Sequence, residues 1–197
     1  DVGVGFPLYR MTGAYENYKL LLECGLEGLE EDVRQRMADC PANRKPFYEG
    51  LLIVIGIFTD CALTYECQAR ALAGVSHEHA RRLLAMADDL HFISRHAPET
   101  LMQALQLHWL YSCVAGVMDY GRMDVLFGGF LAHDLAVGRI TEDEALEALK
   151  GLWHMMVERS TIYHGRVVIG GMGRPNEMEA DRFAMLAMEA SAAVHDV

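Results

Sequence analysis

The stretch from Met118 to Trp153 places the tightest limits on what this chain can fold into. It runs Met-Asp-Tyr-Gly-Arg-Met-Asp, then an apolar patch, then His-Asp-Leu-Ala-Val-Gly-Arg-Ile, then Thr-Glu-Asp-Glu-Ala-Leu-Glu-Ala-Leu. Gly121 lets the backbone reverse without a side-chain clash, so a sharp polar turn is expected between two long helices. Arg122 and Asp124 stand beside that glycine as a potential ion pair pinning the turn. A short apolar element follows and stops at Gly138. Thr141 then opens a new helix, with Glu144 three residues on completing a capping box. Glu142 and Asp143 add negative charge at the positive end of the helix dipole. The predicted order is helix, turn, short helix, capped helix.

A length of 197 residues with 52% hydrophobic content suffices for one domain with its own core, or for one slab of something larger. The formal net charge of -11 argues against nucleic acid or an anionic membrane as partner. A small molecule or another protein fits better. The five cysteines, Cys24, Cys40, Cys61, Cys67 and Cys113, are odd in number and form no C-x-x-C pair. They read as reduced, buried thiols of a cytoplasmic protein. Asp1-Val2-Gly3 has neither the basic nor the apolar region of a signal peptide. The apolar run Leu51 to Phe58 is cut by Thr59 and Asp60, short of a membrane span. The absent initiator Met and a last residue, Val197, in mid-helix suggest a chain cut at both ends.

In order, Asp1 to Thr12 is Gly-rich and irregular, and Tyr15 to Met37 is helical with a break near Cys24-Gly25-Leu26. Cys40 to Asn43 forms a turn. Pro46 begins a helix to about Leu72 that is apolar on most faces and therefore expected to be buried. Gly74 ends it, and Ser76 caps the next helix, His77 to His91. Pro98 and Thr100 start another, with Gln103 at N3, running through Trp109 to about Ala115. Arg166 to Ile169 is the clearest strand, β-branched and closed by Gly170-Gly171. Asn176 caps the last helix with Glu179 at N3, and Phe183, Leu186, Ala187 and Ala190 form its apolar stripe. The fold class expected is mainly α with a few short β-strands.

The segment Gly165-Arg-Val-Val-Ile-Gly-Gly-Met-Gly-Arg-Pro-Asn-Glu carries the most chemistry. A strand, a glycine-rich loop and a helix N-terminus can together cradle an anion, with Arg174 adding a bidentate contact. It is neither a Walker A loop nor a G-x-G-x-x-G fingerprint, and a tight strand-to-helix connection explains the glycines more simply. The histidines, His77, His79, His91, His96, His108, His133, His154, His164 and His195, read as solvated. His77 and His79 do not share a helix face, no H-E-x-x-H exists, and no metal site is expected. Cys113 would need a base and an electropositive setting to act as a nucleophile, so the thiols read as inert. Met155, Met156, Met185 and Met188 are expected in the core.

The order of segments also resembles a known family. Tyr15-Glu16-Asn17-Tyr18-Lys19-Leu20-Leu21 with Gly25-Leu26-Glu27-Gly28-Leu29 is similar to the early segment of glycyl radical enzymes of the pyruvate formate-lyase type. Phe47 to Val54 resembles that family's long buried helix. Pro98-Glu99-Thr100-Leu101-Met102-Gln103-Ala104-Leu105-Gln106-Leu107-His108-Trp109 resembles its Pro-x-Thr-x-x-Glu-Ala-Leu-Gln-x-x-Trp stretch. Gly121-Arg122-Met123-Asp124, followed by Asp134 to Ala145, is similar to its Gly-Arg-x-Asp … Asp-x-x-x-Gly-x-Ile-Thr-x-x-Glu-Ala run. Gly165 to Asp181 resembles a Gly-Arg-x-x-Ile-Gly-Gly-x-Gly-Arg-x-Asn-Glu stretch.

That resemblance implies that residues 1–197 are a single partial domain, from the N-terminal and middle part of a large α/β barrel enzyme. They would supply its helical sheath and one or two barrel strands. The whole enzyme would be cytoplasmic, anaerobic and homodimeric, with lyase or acyltransferase chemistry. A radical S-adenosylmethionine activating enzyme would install its glycyl radical, and a small molecule would be its substrate. The family's catalytic cysteine loop and glycyl loop have no counterpart in the matched segments, so no catalytic residue and no bound cofactor are assigned here. Arg166, Arg174 and Asn176 are the expected substrate-side polar residues, and Gly121, Arg122 and Asp124 the structural turn. Gly116-Val117 replaces the polar pair that diol dehydratase relatives use on substrate hydroxyls, and Tyr9-Arg10-Met11-Thr12 replaces a Gly-His, which both speak against a polyol. The competing readings are a non-enzymatic helical partner-binding protein and a small anion-binding domain built on the Gly170–Asn176 loop.

Overall fold

A computed structural model describes residues 16–76, 78–117, 119–159 and 165–194. Among the described residues the helices are α1 (Tyr18–Asp39), α2 (Lys45–Val75), α3 (Ala80–Ile93), α4 (Leu101–Val114), α5 (Met123–Ala136), α6 (Glu142–Glu158) and α7 (Glu177–Val194), with a 3-10 turn at Ala42–Arg44. α2 packs along α3 and α1, and α7 packs against α5 and α6. α4 lies between these groups and touches α1, α2 and α3 as well as α5.

Local chemistry explains most boundaries. Asn17 accepts the Leu20 N–H at 3.1 Å and starts α1. α1 is kinked at Gly25 (φ 64°), where a Cβ would stand 2.3 Å from the Ala97 backbone nitrogen. Thr100 caps α4 through the Gln103 N–H. The Thr141–Glu144 capping box is complete in both directions. The core is centred where α4, α5 and α7 meet: Leu101, Leu107, Met123, Phe127, Leu131 and Phe183 are sealed from solvent. Burying each such side chain is worth about 1.5–3 kcal/mol. The buried Asp134 carboxylate serves this junction too, accepting the Leu101 N–H of α4 at 2.8 Å and pairing with Arg139.

Several expectations need correction. Arg166 to Ile169 forms no strand; among the described residues it makes only an isolated parallel bridge between Arg166 and Asp119. Two hydrogen bonds join the segments, Tyr120 N–H to the Arg166 carbonyl (2.8 Å) and Val168 N–H to the Gly121 carbonyl (3.0 Å). A ladder needs a partner of equal length, and the partner leaves into α5 at Met123. Ser76 does not cap α3. It ends α2, donating its N–H to Leu72, and α3 starts after His79.

α2 is not buried on most faces. Only Phe58, Ala62, Ala69 and Ala73 are buried, while Ile53 (66% exposed), Ile57, Tyr65 and Leu72 face outward. α1 and α3 cover one face of this helix and leave the other open. Residues 42–75 are also long and apolar enough, by length and composition, to cross a membrane, because Thr59 and Asp60 do not lower the mean hydropathy (1.6) sufficiently.

The cysteines are unpaired, as expected, but none is buried, and Cys67 and Cys113 are exposed. Met155, Met185 and Met188 are exposed rather than core, since each lies off the buried stripe of its helix. His108 departs in the other direction: it is fully buried. The readings of residues 1–12, His77, His164 and His195 fall outside the described residues.

Candidate functional site

A buried cluster of polar residues gathers at the turn between α4 and α5. Gly121 adopts φ 70°, a left-handed conformation that a side chain would disfavour. Its N–H is held by the Asp119 carboxylate at 3.0 Å, an Asx-type turn that starts the reversal. Asp124 follows in the first turn of α5, completely buried. Its Oδ2 accepts the Gly170 N–H at 2.8 Å and Arg174 Nη1 at 3.1 Å. Its Oδ1 accepts the Val125 N–H at 2.9 Å and lies 3.6 Å from Arg122 Nε. Arg122 Nη2 donates to the Gly170 carbonyl at 2.7 Å.

The loop N–H and the guanidinium that could have met an anion, from Gly170 and Arg174, are both taken by the carboxylate of Asp124, so the loop serves as the tight connection that its glycines suggest. Arg174 bridges this buried carboxylate to the exposed Asp181 on α7 (2.5 Å) and closes the loop by donating to the Gly171 carbonyl (2.8 Å). Hydrogen bonding to Asp181, and then to Asp124, holds its guanidinium pKa above the ordinary value.

The structure thus unites Gly121, Arg122, Asp124 and Arg174 in one junction. Arg166 joins through its backbone bridge to Asp119, with an exposed side chain. Asn176 immediately precedes α7, but not as the side-chain cap expected: its Oδ1 is buried without a partner, and its Nδ2 sits 3.4 Å from Glu179 Oε2. Between the start of α1 and this turn lies an open cleft of 360 Å³ lined by Asn17, Tyr18, Lys19, Arg122 and Leu126, among others.

A second set of polar groups secures the other side of the turn, and the sequence reading missed it. His108 Nε2 donates to the Tyr120 carbonyl at 3.0 Å, which fixes the tautomer and leaves Nδ1 buried and unpartnered. Burial pushes the His108 imidazole down to about 4, against a smaller opposing effect of the Tyr120 carbonyl. Tyr18 packs against this ring at a tilt of 37° (centroids 4.2 Å) and donates its hydroxyl to the Asp119 carbonyl at 3.0 Å. Arg159, at the end of α6, donates to the carbonyls of Val117 (2.6 Å) and Ser112 (3.0 Å). No spacing rule announces these partners; only Asp119, two residues before a turn glycine, had a local signal.

The junction sets backbone and carboxylate positions. It contains no paired general acid and base and no nucleophile, and no group of three or more metal-ligating side chains occurs among the described residues. What it can do is fix the loop before α7 against the turn before α5.

The family described as Pyruvate formate lyase-like matches residues 7–196. The chain is 28% identical over 174 residues to the probable dehydratase YbiW of Escherichia coli K12, covering 81% of this chain and 22% of that protein. It is 28% identical over 163 residues to the isethionate sulfite-lyase of Nitratidesulfovibrio vulgaris, covering 75% of this chain and 20% of the relative. Its fold matches that of a glycyl radical enzyme from Archaeoglobus fulgidus with a TM-score of 0.76 at 22% identity, covering 90% of this chain and 26% of that one. The chain thus spans about a fifth of the length of the curated relatives it matches.

Proposed function

The chain belongs to the pyruvate formate lyase-like family, and we propose that it works as the wall-forming part of a glycyl radical lyase or dehydratase. The observation that carries this reading is the shared helical arrangement over 90% of the chain, with α2 left bare on its outward apolar face. A helix of that kind belongs inside a larger protein. Residues 1–197 then act as a single partial domain. The extended segment 166–169, which has only a three-residue partner here, becomes one strand of the enzyme's barrel once the remaining strands flank it. The apolar face of α2 is covered by protein, not lipid, since its other face already packs on α1 and α3.

In the whole enzyme, a glycyl radical outside this chain supplies hydrogen-atom abstraction chemistry, and a radical S-adenosylmethionine activating enzyme installs it. The residues of this chain bind and orient. Arg166 and Asn176 lie on the polar side of the wall, and Arg174 contributes by shaping it. We place the enzyme in an anaerobic cytoplasm as a homodimer. The substrate is a small molecule other than a polyol, because Val117 is buried and its carbonyl is taken by Arg159. Isethionate, the substrate named for one relative, is a suitable first probe.

The anion-binding alternative loses its ground, because the loop groups that could have met an anion are already taken by Asp124. A partner-binding helical protein would not need the loop junction at all. The test is anaerobic activation of the protein that carries this chain, followed by assay of sulfite release from isethionate and of dehydration of a 1,2-diol. Sulfite release or another non-diol elimination supports the reading, and turnover of the diol alone overturns its substrate side.

A further inference from the structure

We infer that Asp124 is a positioning residue, latching the Gly170–Arg174 loop to the turn at Gly121 so that the shape of the substrate wall depends on one buried carboxylate. Asp124 rests on the proposed function only for its catalytic consequence; the latch itself is read from geometry.

The Gly170 peptide is held on both sides by the turn. Its N–H goes to Asp124 Oδ2 and its carbonyl accepts from Arg122 Nη2, at 2.8 and 2.7 Å. Arg174 supplies the second tie at the far end of the loop, 3.1 Å from the same oxygen. Packing does nothing comparable. A Cβ added at Gly170, Gly171 or Gly173 would meet no atom within 4 Å, and Met172 is 97% exposed. All three glycines have φ between 77° and 91°, which glycine adopts without strain, so the backbone here is flexible and its shape depends on the ties at its ends. Asp124 ties both ends, at Gly170 and Arg174, while Arg122 holds the Gly170 carbonyl and Glu177 accepts the Gly173 N–H at 3.1 Å.

The same carboxylate also neutralises two guanidiniums brought within hydrogen-bonding or ion-pair distance, at 3.1 and 3.6 Å. Removing its charge leaves Arg122 without its carboxylate and Arg174 with only the exposed Asp181. The ties between α5 and α7 do not depend on it alone, because the Phe127 and Phe183 rings of these helices also pack 5.6 Å apart. Loss of the latch therefore frees the loop without separating the helices.

The experiment compares Asp124→Asn with Asp181→Asn in the protein that carries this chain, by hydrogen exchange and by steady-state kinetics on whichever probe it turns over. Asp124→Asn should speed exchange of the Gly170–Arg174 amides about ten-fold or more while leaving the interior of α5 and α7 protected. It should also raise KM about ten-fold while changing kcat about three-fold or less, as expected when a wall is misplaced rather than a reacting group removed. Asp181→Asn, which leaves the Asp124 ties intact, should change either quantity about two-fold or less. Unchanged loop protection in Asp124→Asn overturns the latch. So does an equal loss of protection through α5 and α7, which would make Asp124 a general stability residue. If the protein turns over none of the probes, the proposed function fails, and the exchange data still decide the latch.

Discussion

Arg174 donates from Nη1 to Asp124 Oδ2 at 3.1 Å, across fifty positions of sequence, and both side chains are nearly or completely closed to solvent. Two motifs that each look like a local turn are thus halves of one polar junction. The carboxylate end is fixed in the first turn of α5, and the guanidinium end is carried by the loop before α7.

Breaking this pair from the carboxylate side should be costly. Asp124→Ala takes away the shared carboxylate of Arg122 and Arg174 and the acceptor of the Gly170 N–H, while Arg174 keeps Asp181, and the expected loss is about 1.5–3 kcal/mol. Denaturant unfolding of the parent protein and the variant measures it; a loss below about 1 kcal/mol would mean that solvent compensates the site fully.

His108 gives stability a dependence on pH. The unfolded imidazole takes its proton near 6.5 and the folded one only near about 4. As pH falls between those values, the unfolded chain binds a proton that the native chain refuses, so stability decreases with falling pH. The total is about 3 kcal/mol, with no contribution above pH 6.5 and no further loss below about 4. His108→Gln, which donates without titrating, should flatten stability measured between pH 7 and 4. An unchanged slope would show that other groups set it.

Gly128 and Gly129 make a paired control on α5. A Cβ at Gly128 would stand 2.8 Å from the Ala180 nitrogen and the Glu179 carbonyl carbon, backbone atoms that cannot move without shifting α7. At Gly129 the nearest atom is the flexible Glu179 Oε2, at 3.6 Å. Gly128→Ala should therefore destabilise by about 1–3 kcal/mol. Gly129→Ala should be neutral or stabilising by up to about 1 kcal/mol, since alanine favours helix. Thermal unfolding of the two variants side by side decides; equal behaviour would mean that α7 does not pack this closely.

The uncovered side of α2 predicts association. Residues 1–197 on their own should self-associate with rising concentration, because Ile53, Ile57 and Tyr65 face outward along one helix. Ile53→Glu combined with Ile57→Glu should reduce that association in sedimentation and should destabilise the longer protein in which this face is covered. A monodisperse parent chain indifferent to both substitutions would contradict the assignment of this helix to an interior.

What the sequence makes legible here is what acts over a few residues. The capping box at Thr141–Glu144, the cap at Thr100, the kink at Gly25 and the reversal at Gly121 all follow from local hydrogen-bonding chemistry, and all are present. The buried stripe of Phe183, Leu186, Ala187 and Ala190 follows from helical periodicity. The failures are of longer range. A β-branched run forms a strand only beside a partner, and Arg166–Ile169 meets one for just three residues. An apolar helix is buried only where something covers it, which misplaced α2 and the exposed methionines. The role of Asp124 was half visible: its pairing with Arg122 is local, whereas its stronger ties to Gly170 and Arg174 depend on how α5 and α7 meet.

The most direct test of the central claim, that this chain is a wall segment of a glycyl radical enzyme, is an electron paramagnetic resonance spectrum. The protein that carries residues 1–197 would be incubated without oxygen with a radical S-adenosylmethionine activating enzyme, reductant and S-adenosylmethionine. The account predicts the doublet of a glycine-centred radical, lost on exposure to air together with cleavage of the chain at that glycine. A protein that stays free of radical with an activating enzyme from its own genome would contradict it.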